Sequence, residues 1–301
     1  MALLVVGSVG LDRVETPYGS TQEELGGAAV YFALAACHFA PVRLVGVVGD
    51  DCPEGFLKPV HDNPRIDMTG LEVRSGSRTF RWHGRYHEDV NERDTVNVEL
   101  NVLDEVGPTI PEPFRDSECV FLANTHPHRQ IETLAQLASP KLVVADTMDL
   151  WITTELEALR ELLGLIDGLV LNDSEAKLLT GKPNVVAAGM EIAGGVRNFV
   201  VIKKGEHGSL LLADGEVATL PGYPTANVVD PTGAGDCFAG AMMGCLADEG
   251  RFDAGALRRA IAYGTVTASI ELEDFSINRL LVTTREDIDA RLEEFRRLVA
   301  F

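Results

Sequence analysis

The residues best suited to chemistry lie in one stretch, Val228-Val-Asp-Pro-Thr-Gly-Ala-Gly-Asp236, which runs on into Cys-Phe-Ala-Gly-Ala-Met-Met-Gly-Cys-Leu246. A strand ends, a Gly-rich turn follows, and a helix of small residues is predicted from about Ala234. Such a turn aims several backbone N–H groups at one spot, at the positive end of a helix dipole. That spot suits a phosphate, or the charge spread over a phosphoryl group in transit. Asp236, in the first helical turn, can reach a hydroxyl and accept its proton as the bond to phosphorus forms. A bare Gly-Ala-Gly-Asp would read equally as a capped helix start, because Asp is common there. Asp-Pro-Thr directly ahead, in an alternating α/β chain, favours the chemical reading. No Gly-x-x-x-x-Gly-Lys-[Ser/Thr] occurs, and no Gly-x-Gly-x-x-Gly follows the first strand, so neither common nucleotide loop accounts for the segment.

The elements that must position this turn can be read from the hydrophobic pattern. Residues 2–7 form a short buried strand, Gly26 to His38 places small residues on a helical period, and Pro41 to Val48 is again a strand. Strand, helix and strand in succession predict a parallel sheet with helices on its faces. Between about Leu71 and Leu103 the rhythm breaks. Arg78-Thr-Phe-Arg-Trp-His-Gly-Arg-Tyr86 alternates like a half-exposed strand and Asn91–Asn101 is a second one, so a small sheet projects from the body. The α/β rhythm resumes at Cys119–Asn124, Leu142–Asp146, Gly168–Asn172 and Phe199–Lys203, with helices expected over 129–138, 153–164 and 173–179. One domain over 1–301, with a lid from about 11–25 and 71–103, is the economical reading.

Composition limits the partners. The chain has 301 residues and a formal charge of −20, which would repel a nucleic acid rather than neutralise it. Its bases are lopsided, six Lys against twenty Arg, as would suit a salt-rich cytoplasm. No apolar stretch approaches the length of a membrane helix and no basic leader opens the chain, so a cytoplasmic enzyme without membrane partners is expected. The cysteines at 37, 52, 119, 237 and 245 show no metal or disulfide spacing and read as buried, reduced side chains. Asn124-Thr-His126-Pro-His128 has two His but no third ligand nearby.

Asp230-Pro-Thr-Gly-Ala-Gly-Asp236 resembles the C-terminal signature of the ribokinase/PfkB family of carbohydrate and nucleoside kinases. Gly26-Gly27 with Val45-Gly-Val-Val-Gly-Asp-Asp51 resembles its N-terminal signature. Asn172-Asp-Ser-Glu175 is similar to its Asn-x-x-Glu element, and Lys203-Lys-Gly-Glu-His-Gly208 to the strand-turn before its nucleotide site. The landmarks come in the family's order and span essentially the whole chain. The resemblance implies a ribokinase-like three-layer α/β/α sandwich with a mostly parallel central sheet and a small β lid. It implies ATP as donor, Mg²⁺ as cofactor and a small-molecule alcohol as acceptor. Asp236 would be the base, and the amides of Gly233, Ala234 and Gly235 the anion hole. Asn172 and Glu175 would influence Mg²⁺ and phosphates, Glu175 through water, while Lys203, Gly205 and Gly208 would lie near ATP. Asp12 would hold acceptor hydroxyls, Gly26 and Gly27 would let the acceptor approach the backbone, and Asn124 would line its cleft. Asp230, Thr232 and Ser276 offer a place for a monovalent cation such as K⁺. Lids of this kind often pair between subunits, so a homodimer through the lid is expected.

Tyr31 stands where pentose-using members commonly carry an Asn, so a ring with one hydroxyl replaces an amide that reads two. That disfavours ribose itself. A sugar or polyol is the leading expectation, with Asp12, Asn97, Asn101 and Asn124 supplying polar contacts. A nucleoside is the alternative, with Phe80 and Trp82 forming a slot for the base. The lid's Arg78, Arg81, Trp82, His83, Arg85 and Tyr86 could read an acceptor or face a partner subunit. A non-catalytic sensor on the same fold is a third reading, but it would have no need of Asp236.

Overall fold

The computed structural model describes residues 1–300. In chain order the elements are β1 (Leu3–Val6), β2 (Gly10–Thr16), β3 (Gly19–Ser20), β4 (Glu24–Gly26), α1 (Ala28–Ala36), β5 (Val42–Gly49), α2 (Lys58–His61) and β6 (Ile66–Arg74). There follow β7 (Phe80–Tyr86), β8 (Arg93–Glu99), β9 (Cys119–Leu122), α3 (Pro127–Leu134), β10 (Leu142–Asp146), α4 (Asp149–Thr154), α5 (Leu156–Leu163) and β11 (Gly168–Asn172). The chain ends with α6 (Asp173–Thr180), α7 (Val185–Ala193), β12 (Phe199–Lys203), β13 (Ser209–Ala213), β14 (Glu216–Leu220), α8 (Ala234–Glu249), α9 (Ala254–Glu271), α10 (Asn278–Val282) and α11 (Arg285–Val299).

Nine strands form the main sheet in the order β14-β13-β12-β11-β10-β9-β1-β5-β6. All neighbours from β12 to β6 pair in parallel, and β13 and β14 fold back antiparallel at one edge. The central strands β1 and β9–β12 are apolar apart from the last residue of β10, β11 and β12, because both faces are covered. Their side chains alternate between two cores. Leu3, Val5, Cys119, Phe121, Leu142 and Val144 pack under α1, α8, α9 and α11. Leu4, Val6, Val120, Leu122, Val143 and Ala145 pack on the other face, under α5 and α7. The parallel sheet with helices on its faces, expected from the alternating pattern, and the three-layer sandwich that the resemblance implies are therefore present.

From β1 the chain winds one way through β5 to β6, then returns to β9 and winds the other way. The reversal falls between β1 and β9, the kind of place where open α/β sheets bind ligands, outside the carboxyl ends of the strands. Those ends carry Asp146, Asn172 and Lys203, with Asn124 just beyond β9.

A second, five-stranded sheet is built from β2, β3, β4, β7 and β8. Its strands fall in the two segments expected to form the small projecting sheet, with one boundary moved. β6 pairs with β5 at the edge of the main sheet, so residues 71–74 belong to the body and the lid's second portion begins at Phe80.

α1 and α8 approach closely because glycines line the seam. A Cβ at Gly240 would stand 2.3 Å from the Phe32 carbonyl oxygen, and one at Gly244 would stand 2.8 Å from that of Ala36. Below this seam Phe32 stacks on Phe121 with centroids 4.5 Å apart. Among the described residues no helix is long and apolar enough to cross a membrane. Gly240→Ala is expected to lower stability by about 1–3 kcal/mol through overpacking, outweighing the roughly 1 kcal/mol that alanine's helix propensity contributes. Denaturant unfolding with an unchanged m-value checks this, and a stabilised variant would contradict it.

Candidate active site

The turn before α8 is held at both ends. Val229 N–H donates to the Leu272 carbonyl at 2.7 Å, and Asp230 is wholly buried. The two Asp230 carboxylate oxygens accept from the N–H groups of Thr232 (2.9 Å) and Ser276 (3.0 Å). Gly233 caps α8 at φ +85°, where its missing Cβ would lie 2.3–2.5 Å from ring carbons of Tyr31. Both the left-handed backbone and the ring beneath it demand glycine. No side chain caps this helix, and the N–H groups of Gly233, Gly235 and Asp236 have no protein acceptor among the described residues. Ala234 N–H, expected in the anion hole, instead donates to the Pro231 carbonyl at 3.3 Å. The helix start therefore offers Asp236 N–H in its place.

Asp236 is half-buried in this turn. Desolvation pushes its carboxyl up to about 6, against the pull of Lys203 and Arg93. Lys203 lies on the turn, its Nζ 2.8 Å from where a Gly235 Cβ would stand. Next to it is a residue the sequence reading overlooked. Asp146, at the end of β10, is buried, and its Oδ1 has no hydrogen-bond partner. Burial raises that carboxyl, and the nearby Asp236 raises it further. The available signal was its strand-end position, shared with Asn172 and Lys203.

Asn172 and Glu175 form a capping box on α6. Asn172 Oδ1 accepts from Glu175 N–H at 2.8 Å, and Glu175 Oε2 accepts from Asn172 N–H at 2.7 Å. One Glu175 oxygen is thus engaged by the backbone. Its carboxyl, raised first by burial, also feels Lys203 and Arg93. Gly205 (φ +53°) faces Asn91 of the β7–β8 loop. Gly208 serves the turn into β13, since a Cβ there would stand 2.0 Å from the Leu220 carbonyl oxygen.

Asp12, expected to hold acceptor hydroxyls, is buried on β2 and its Oδ2 accepts from Gly27 N–H at 3.3 Å. Burial, with Asp230 and Asp236 nearby, raises its carboxyl to about 7. Gly26 admits this approach, since its Cβ would fall 2.0 Å from Asp12 Oδ2. Tyr31 is buried beneath the turn and its hydroxyl has no hydrogen-bond partner, so it is placed to support Gly233 rather than to line an open cleft. Asn124 is engaged too, its Oδ1 accepting from Trp151 Nε1 at 2.9 Å and its Nδ2 lying 3.0 Å from Met148 Sδ. Thr232 Oγ1 donates to the Tyr86 hydroxyl oxygen, and Ser276 Oγ donates to the Leu25 carbonyl. Asp230, Thr232 and Ser276 do come together, but each side chain already has a protein partner. A monovalent cation beside them would rely mainly on backbone carbonyls.

The two faces of β7 differ. Arg81, His83 and Arg85 lie on one face and pair with Glu23, Asp51 and Glu15 at 2.7–3.0 Å. Phe80, Trp82 and Tyr86 lie on the other, in register with Gly10, Asp12 and, across β8, Val98 and Arg93. Tyr86 reaches the turn before α8 through Thr232. Arg93 is the second residue the sequence reading overlooked, because nothing in a lone Arg of an exposed strand announces its direction.

If Tyr31 only supports the turn, Tyr31→Phe should leave stability unchanged or raise it, since an unsatisfied buried hydroxyl costs about 1–3 kcal/mol. Steady-state kinetics should then show an acceptor KM within about twofold of the parent, well under the effect of a lost hydrogen bond. A rise of about tenfold or more would make its hydroxyl a direct contact.

The family described as pfkB family carbohydrate kinase matches residues 2–281. A cytidine kinase of Thermococcus kodakarensis is 31% identical over 247 residues, 80% of this chain and 87% of the relative. A ribokinase of Haemophilus influenzae is 26% identical over 313 aligned positions, 95% and 97% of the two chains. Among solved structures, a nucleoside kinase of Burkholderia thailandensis in complex with inosine superposes with a TM-score of 0.78 at 22% identity, covering 97% of this chain and 98% of that one. The ribokinase of Thermotoga maritima gives 0.77 at 21%, covering 97% and 99%. The motifs, the fold and these matches agree: the chain belongs to the pfkB family of carbohydrate kinases and is an ATP-dependent phosphotransferase.

Proposed function

We propose that the protein transfers the γ-phosphate of ATP to a hydroxyl of a nucleoside. The observation that carries this reading is the site face of the lid, where Phe80, Trp82, Tyr86 and Val98 present an apolar and aromatic surface beside Asp12. A nucleobase has a π-face to stack there, whereas a free sugar has mostly hydroxyls to satisfy. The polar set expected for a simple sugar or polyol is largely engaged elsewhere. Asn101 donates to the Thr79 carbonyl, Asn124 is held by Trp151 and Met148, and Asn97 is in register with the outward-facing His83. Asp12 remains for the hydroxyls of the ribose. The cytidine kinase relative supports the same reading.

In the reaction Asp236 takes the proton of the attacking hydroxyl as its oxygen bonds to the γ-phosphorus and the bond to ADP breaks. The free amides of the turn and Lys203 stabilise the charge on the phosphoryl oxygens. The unpartnered oxygen of Asp146 and the remaining oxygen of Glu175 fit the carboxylate environment that Mg²⁺ requires. When bound, Mg²⁺ would neutralise phosphate charge. The lid excludes water from the transfer.

ADP release with Mg-ATP should therefore be at least about tenfold more efficient with a nucleoside than with ribose, hexoses or inositols, given stacking worth about 1–3 kcal/mol. Trp82→Ala should raise the nucleoside KM by a similar factor and leave kcat nearly unchanged. A preference for a free sugar or polyol would reject the nucleoside assignment. Asp236→Asn should lower kcat by roughly 10²–10⁴-fold while ATP still binds.

Because the base must be ionised, kcat should rise with pH through about 6 and level off above it. A profile flat from about pH 5 to 8 would remove Asp236 as the base.

A further inference from the structure

We propose that Arg93 is a catalytic residue, a guanidinium carried by the lid to the transferring phosphoryl group, where it completes the anion hole opposite Lys203. The inference rests on the phosphotransfer reading but not on which acceptor is used.

Three placements converge on this residue. Arg93 is in register with Tyr86, whose hydroxyl oxygen accepts from Thr232 in the anion-hole turn at 3.2 Å, so the start of β8 lies over that turn. The loop joining β7 to β8 sets Asn91 against Gly205, and Gly205 lies in the turn next to Lys203. Arg93, two residues after Asn91, therefore lies between the acceptor side and the nucleotide side of the cleft. Its guanidinium sits 5.4 Å from the Trp82 ring on the lid's site face.

Its charge is also unmatched. The lid's other arginines, Arg78, Arg81 and Arg85, pair with Glu99, Glu23, Asp51 or Glu15. No carboxylate lies within ion-pair distance of Arg93 among the described residues, in a chain whose formal charge is −20. Its field instead reaches Asp236 and Glu175, and it pulls both carboxyls downwards. A planar, permanently charged group with several donors suits the oxygens of a phosphoryl group, whose charge increases during transfer. The Trp82 face supports it.

The test measures ADP affinity by calorimetry with and without fluoroaluminate, which stands in for the phosphoryl group in transit. Wild-type protein should bind ADP more tightly when fluoroaluminate is present. Arg93→Ala should lose about tenfold or more of that gain, with ADP alone bound as before, and Arg93→Lys should keep part of it. Turnover of Arg93→Ala should fall by about 10²–10³-fold in kcat and recover partly with added guanidinium, while its thermal unfolding matches the parent. A full gain in Arg93→Ala would overturn the proposal. So would an equal loss with ADP alone, which would make Arg93 a nucleotide contact, and so would a wild type showing no gain. If the gain depends on Arg93 yet no nucleoside is turned over, the acceptor assignment fails and this inference stands.

Discussion

A left-handed glycine seated on a buried ring is the constraint from which the active site is built. Gly233 can cap α8 at φ +85° only because it has no Cβ, and the space that a Cβ would fill is taken by Tyr31. Asp230 fixes the turn from behind by accepting two amides, one from Thr232 and one from the distant Ser276. With the backbone held in this way, the amides of Gly233, Gly235 and Asp236 stay unpaired at the start of α8 among the described residues. Asp236 then emerges from the same turn beside them. Asp236 and the unpaired amides are thus positioned by one piece of backbone, so in the proposed reaction little reorganisation is needed when charge develops.

An acidic protein that binds a polyphosphate must concentrate positive potential locally. The surface arginines contribute little to this, because most of them are neutralised by nearby carboxylates. The positive locus comes from the helix start, from Lys203 lying on the turn, and from Arg93 above it. The same cations act on the carboxylates they face. Asp236 is raised by burial to about 6 rather than higher because Lys203 and Arg93 oppose the desolvation. For the proposed role, a carboxyl that ionises near there is unprotonated at neutral pH while remaining basic enough to take a proton in the transition state.

The lid shows how a period of two allots different tasks to one strand. Alternate residues of β7 face outwards into ion pairs or inwards to the cleft, so Arg81, His83 and Arg85 brace the sheet while Phe80, Trp82 and Tyr86 face the site. The inward set is aromatic, the property on which the proposed nucleoside acceptor rests. Through Tyr86 and Thr232, and through Asn91 and Gly205, the lid touches the body on both sides of the reacting centre.

Local sequence determined much of this protein. The parallel sheet with helices on its faces follows from short apolar strands alternating with helical segments. The turn follows from Asp-Pro-Thr-Gly-Ala-Gly-Asp, because glycine and an N-terminal acid have meaning within a few residues. The Asn172–Glu175 pair was legible as a helix start for the same reason, and the structure shows that capping geometry in full. What sequence could not decide was direction and partnership across long separations. Tyr31, spaced like a substrate residue, lies under Gly233, some two hundred positions on, because α1 packs against α8. Ala234 turned its amide to Pro231, and Asn124 found Trp151 and Met148. Arg93 and Asp146 carried no motif, since a lone charge acquires its role from whatever the fold places around it. Only the tertiary structure fixes which neighbours a charge has and whether water reaches it, and these two facts decide whether it braces a surface or serves the site.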